Sequence, residues 1–151
     1  MTVDVTLFAG QPFLKGLSAR HLELLANESM LMEFTEGKIV FREGQVANRF
    51  YLLLEGEVAL ESSAKEKDGV PSTIEIIRTG GVLGWSWLFP PCRWHFDARV
   101  IKPSKAIFIY GTRLRTLCEQ DHELGYELMK KTAEIVIEEL QAVRELLSNN
   151  N

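Results

Sequence analysis

Cysteine, histidine and long apolar runs are scarce in this chain, and each scarcity removes a class of function. Two cysteines, Cys92 and Cys118, cannot build a disulfide framework and match no zinc spacing. They also fall short of the roughly four thiolates that an iron–sulfur cluster takes. Of the three histidines, His21, His95 and His122, none forms a His-x-His with a following Glu, which argues against a metal-dependent enzyme on a small β scaffold. No apolar run is long enough to cross a bilayer. The start, MTVDVTLFAGQPF, has no basic region leading into a long apolar stretch, so no secretory signal is expected and the cytoplasm is the expected compartment. Positive charge is not in excess either. Seventeen Lys and Arg against 21 Asp and Glu leave a net charge of -4, with no concentrated basic face to hold a phosphate backbone. Neither nucleic acid nor membrane is an expected partner.

What remains is enough for one globular domain spanning 1–151: 151 residues, 46% of them apolar, can bury a genuine core. An irregular lead-in should lay Phe8 and Phe13 on that core. Ser18 is a good N-cap for a helix over about Ala19–Ala26, with Leu17 and Leu22 placed as a hydrophobic staple. From Met30 the pattern becomes that of short strands: Met30–Phe34, Lys38–Phe41, Arg49–Leu54, Glu57–Ser62, Thr73–Arg78, Ala98–Lys102 and Ala106–Tyr110. Turns are expected at Thr35-Glu36-Gly37, Arg42–Gln45, Glu55-Gly56 and Asp68-Gly69, and a break at Pro103. Short strands spaced by glycine-containing turns predict a closed or sandwiched β unit over about residues 29–110.

The last third, about residues 112–148, reads as helical. Thr112 can cap a short helix to about Glu119, and Asp121 a long one from His122 to about Leu147. In the long helix Met129, Ala133, Val136, Leu140, Val143 and Leu147 alternate steps of four and three, a heptad seam. A second apolar set, Leu128, Ile135, Ile137 and Leu146, lies off that seam. One face serving the domain and another a partner helix would account for both, so a homodimer through this helix is expected.

Between the β-like stretches lies TGGVLGWSWLFPPCRWHFDARV, residues 79–100, which holds all three tryptophans and two adjacent prolines. Proline lacks the ladder N–H, so this insert is either a packed corner or a ligand-facing loop. His95 and Asp97, two apart, would point to one side if on a strand, as a structural hydrogen bond, a proton-transfer pair or two ligands of a metal. Cys92, next to Arg93, is either a packing residue or a thiol of lowered pKa. No nucleophile–base pair or metal cluster stands out, and catalysis is not expected.

The order of elements, the phrases Glu43-Gly44 and FYLLLEGEV, and the pairing of a Gly84 corner with Asp97-Ala98-Arg99-Val100 resemble the cyclic-nucleotide-binding domains of the catabolite-activator (Crp/Fnr) superfamily. The resemblance covers about Phe8–Val143. It implies a mainly β fold with flanking helices: a double-stranded, jelly-roll-like β-roll with an N-terminal helix, a short helix at Gly84 and a long C-terminal helix. It also implies a phosphate-binding cassette, in which a Gly-Glu-(Leu/Ile)-(Ala/Gly) helix start and an Arg about ten residues on hold the cyclic phosphate and ribose. Here the cassette is degenerate. Gly84 is followed by Trp85, Ser86 and Trp87, so the ribose carboxylate is missing, and the arginine position falls on Trp94 or, with loop slack, on Arg93. The superfamily's helix-turn-helix has no room in the few residues after Val143, so direct DNA binding is not expected.

Gly84, Trp85, Ser86, Trp87, Arg93 and Trp94 are therefore the candidate ligand-binding residues. They imply a sensory or regulatory domain taking a small anionic or aromatic ligand, a cyclic nucleotide or another, and signalling through the long helix, without tight cyclic AMP binding. The alternative is a ligand-free dimeric module, with or without a further protein partner, whose nucleotide space is filled by tryptophan.

Overall fold

The structure, a computed structural model, describes residues 3–65 and 71–149. Five antiparallel strands form the sheet: β1 (Met30–Phe34), β2 (Ile39–Phe41), β3 (Arg49–Lys65), β4 (Pro71–Ile77) and β5 (Asp97–Tyr110). The order is β1-β5-β3-β4, with β2 also paired to β5. Strand β5 is the spine. It pairs with β3 along its length, with β1 beside its second half (Met30↔Phe108) and with β2 beside its first (Ile39↔Arg99). Around the sheet stand α1 (Ala19–Asn27), α2 (Gly111–Gln120) and α3 (His122–Asn149). This is the expected β-roll with flanking helices, and none of the described helices is long and apolar enough to cross a membrane.

The period-2 alternation of the central strands sorts their side chains into two cores. Phe50, Leu52, Ile107 and Ile109 face the helices, where they join Phe8, Phe13, Leu25, Leu114, Leu124 and Leu128. Tyr51, Leu53, Ala106 and Phe108 face the interior of the roll, with Phe34, Phe41, Val58, Leu60 and Val100. Both faces of β3 are therefore covered, which is why Tyr51–Leu54 is an unbroken apolar run.

The helix starts behave as their sequences dictate. Ser18 Oγ accepts from the His21 N–H at 3.1 Å, and Asp121 Oδ1 from the Leu124 N–H at 3.1 Å. Leu17 and Leu22 both pack on the helix-side core. Thr112 is not the cap of α2. That helix begins one residue earlier, at Gly111, whose N–H donates to Asn48 O at 2.8 Å, so an inter-element bond replaces a side-chain cap.

Two expected breaks are absent. Glu55-Gly56 is not a turn, nor does Pro103 end a strand: β3 and β5 run through them. The register shifts between Leu53 and Val58, so Glu55 pairs with Lys105 and Glu57 with Lys102. Proline is tolerated at such a bulge because the ladder does not need its N–H. Gly56 has φ +106, and a Cβ there would come 2.1 Å from Ser104 Oγ, so only glycine fits. The Asp68-Gly69 turn lies outside the described residues.

Helix α3 has two faces. Leu124, Leu128, Thr132 and Glu139 are buried and Ile135 half-buried, all on the side toward the domain. Of the heptad seam, Met129 is 44%, Leu140 58% and Leu147 62% exposed and Ala133 is exposed too, while Val136 and Val143 are half-buried. Of the second apolar set, Leu128 and Ile135 pack on the core, but Ile137 is 64% exposed and belongs to the outer side.

Candidate functional site

The segment between Gly80 and Asp97 is held by backbone bonds at both ends. Leu53 N–H donates to Gly81 O at 2.8 Å and Leu83 N–H to Tyr51 O at 3.1 Å. Further on, Trp94 N–H donates to Gln45 O at 2.9 Å, and Gly44 N–H to Trp94 O at 2.8 Å. The short helix expected at Gly84 is only a turn, closed by Leu88 N–H on Trp85 O at 3.1 Å. The reason is Pro90-Pro91, which supply no N–H to carry the helix on. Gly84 sits at φ +83, and a Cβ on it would lie 2.9 Å from the Trp94 ring. The corner therefore needs glycine both for its backbone and for the approach of that ring.

The candidate residues do not converge on one cleft. Trp94 enters the roll interior, 5% exposed, and stacks on Phe41 with ring centroids 3.7 Å apart and planes 8° from parallel. Tyr51 lies 6.4 Å from it on another side. Trp87 goes the opposite way, into the helix-side core, 1% exposed and edge-on to Phe50. Its carbonyl accepts from Arg115 Nη1. Ser86 is buried, with Oγ 2.7 Å from His95 Nδ1. Arg93 is exposed and donates to Gly44 O at 3.1 Å.

Trp85 is half-buried and faces a third way. Its ring stacks on the exposed His95 at 4.5 Å, and its Nε1–H donates to Glu139 Oε2 on α3 at 2.5 Å. Glu139 is 4% exposed, and its Oε1 has no hydrogen-bond partner. Burial pushes this carboxyl up to about 7; the Trp85 bond pulls it down, and the negative neighbours Glu75 and Glu138 push it up further. Sequence reasoning missed Glu139 altogether.

His95 and Asp97 do not share a side, because β5 begins only at Asp97. While His95 bonds Ser86, Asp97 Oδ1 accepts from the Glu43 N–H at 2.8 Å and so ties β5 to the Glu43-Gly44 turn. Ser86 and His95 are within hydrogen-bond reach, but the hydroxyl is enclosed and not presented to a substrate. The guanidinium beside Cys92 Sγ is that of Arg115, at 3.9 Å, rather than that of the adjacent Arg93. Burial, then Glu119 and Asp121, push the Cys118 thiol up to about 11. Among the described residues no group of three or more His, Cys, Asp or Glu could hold a metal ion.

The sequence pattern of the cyclic nucleotide-binding domain matches residues 31–121, from the first strand through this corner to the end of α2. The chain belongs to the cyclic nucleotide-binding domain family. It is similar to the crystal structure of a Geobacter metallireducens protein classed as cyclic nucleotide-binding, with 32% identity over 86% of this chain and 92% of that one and a TM-score of 0.76. The N-terminal domain of a Streptomyces coelicolor transcriptional regulator shares the fold at 19% identity, over 93% and 95% of the two chains, with a TM-score of 0.70. So does the regulatory subunit of a cAMP-independent protein kinase A from Trypanosoma cruzi, bound to guanosine, at 21% identity and a TM-score of 0.65. The match covers 78% of this chain and 40% of that subunit. No curated protein matches the chain. Within the family's fold, the corner that carries Gly84 here directs its aromatic side chains into two cores and onto α3.

Proposed function

We propose that this cyclic nucleotide-binding domain works as a regulatory interaction module: its nucleotide space is closed by its own aromatic side chains, and its output is a homodimer formed through α3. The observation that carries the proposal is the outward seam. Leu140 and Leu147 are more than half exposed, at 58% and 62%, in the heptad spacing that a second identical helix would satisfy. The stacked Trp94 and Phe41 support the closed interior, since a bound nucleotide would have to displace the indole from a core contact. The module would act through protein contacts.

Sedimentation velocity on the full chain tests the reading. The wild type should sediment as a dimer at tens of micromolar, and Leu140→Glu as a folded monomer with unchanged circular dichroism. A wild type that stays monomeric there overturns it. A second reading, an aromatic or anionic small ligand taken at the Trp85–Trp94 corner, is favoured by the guanosine-bound Trypanosoma cruzi relative. It requires Trp94 to swing out of the roll.

A further inference from the structure

Glu139 occupies a position where the helix face toward the domain otherwise carries apolar or small polar residues: Leu124, Leu128, Thr132 and Ile135. Its carboxyl is enclosed, accepts one bond from the Trp85 indole at 2.5 Å and leaves Oε1 without a partner. The charged groups around it give no relief. Glu138 precedes it on α3, and Glu75 faces it from β4. Arg78, just after β4, lines the same cavity of about 180 Å³ as Glu75, Ile135 and Glu138. Its Nε, however, is drawn to Glu57 at 3.8 Å. From the corner comes the Trp85 N–H alone, with His95 stacked on that ring.

A carboxylate in such a place is poorly compensated: it has one donor, little water and two like charges nearby. A neutral carboxylic acid accepts the same indole N–H without the desolvation cost. When α3 is docked, Glu139 therefore favours its proton. When the helix lifts, the group reaches water and favours ionisation. Proton binding and helix docking are thus linked.

We propose that the Trp85–Glu139 contact is a proton-operated latch between the tryptophan corner and the middle of α3, closed when Glu139 is protonated and released when it ionises. Burial, with Glu75 and Glu138, raises the carboxyl to about 7, so the latch changes state near neutral pH. Its consequence for the output rests on the reading of α3 as the dimer helix, because a released α3 presents its seam differently.

The test is NMR on the full 15N-labelled chain from pH 5 to 8.5. Of the three indole Nε1–H signals, one for each tryptophan, that of Trp85 is assigned by its loss in Trp85→Phe. In the wild type it should move with a midpoint near 7, and amide protection around Ile135–Val143 should fall about tenfold over the same range after correction for intrinsic exchange. Glu139→Gln, a neutral isostere, should flatten both responses. Glu75→Gln should lower the midpoint by about half a pH unit, which keeps the idea testable if Glu139→Gln folds poorly. His95→Gln should leave the midpoint in place. A flat wild-type Trp85 signal, or one that titrates equally in Glu139→Gln, overturns the latch. Sedimentation at pH 5.5 and 8 keeps the two readings apart: a titrating Trp85 signal in a chain that stays monomeric rejects the dimer and retains the latch, and a dimer with a flat Trp85 signal does the reverse.

Discussion

Trp94 and Trp85 belong to one irregular segment, yet they sit in opposite physical situations. Trp94 is surrounded by ring faces and aliphatic groups, stacked on Phe41 and enclosed with Leu83 and Phe108. Its backbone N–H and C=O are both bonded, to Gln45 and Gly44. Trp85 rests against an exposed imidazole on one side, and its N–H meets a buried carboxyl that is itself one partner short. The first region is a completed core and has one stable arrangement. The second is a contact whose strength depends on a proton, and so has two. In a family named for binding cyclic nucleotides, this chain places its conditional chemistry between the corner and the long helix.

The largest expected difference between the two regions is in packing. Trp94→Ala should cost about 3–5 kcal/mol of unfolding free energy in denaturant titrations, as removal of a buried aromatic does. The half-buried Trp85→Ala should cost less than half of that, and equal costs would erase the contrast. Next in size is the pH response. Burial lifts the Glu139 carboxyl from 4.5 to about 7, so its proton stabilises the fold fully below 4.5, and that contribution is lost as pH rises through 7. The wild type should therefore lose on the order of 3 kcal/mol relative to Glu139→Gln between pH 4.5 and 8, measured by denaturant midpoints at both ends. Trp85→Phe keeps an aromatic ring but removes the N–H together with the five-membered ring of the indole, so at pH 5 it should cost at least about 1 kcal/mol. Arg93→Ala, at an exposed site, should stay within about 0.5 kcal/mol of wild type.

Much of this fold was legible in the sequence, because its signals are local. Ser18 and Asp121 cap as their side chains dictate, and the alternation in Phe50–Leu53 and Ala106–Ile109 sorts itself into two cores. Gly56 and Pro103 misled because each reads as a stop alone. Their compatibility with long strands appears only when Gly56 meets Ser104 across the bulge. The site was legible in part. The aromatic corner announces itself, but which way each indole turns depends on which core has room for it. Glu139 was hidden for another reason: glutamate is a good helix former, and on a charged helix it reads as solvated surface. Its one sequence signal is its place on the face of Leu124, Leu128, Thr132 and Ile135, and its partner lies 54 residues away.

The most direct test of the closed interior is a calorimetric titration of the wild-type chain with cyclic AMP, with tryptophan emission followed in parallel. A core contact between Trp94 and Phe41 predicts no saturable heat and no change in emission at millimolar nucleotide. A saturable one-to-one isotherm with quenched emission would mean that Trp94 yields its place to a nucleotide, and would contradict the account.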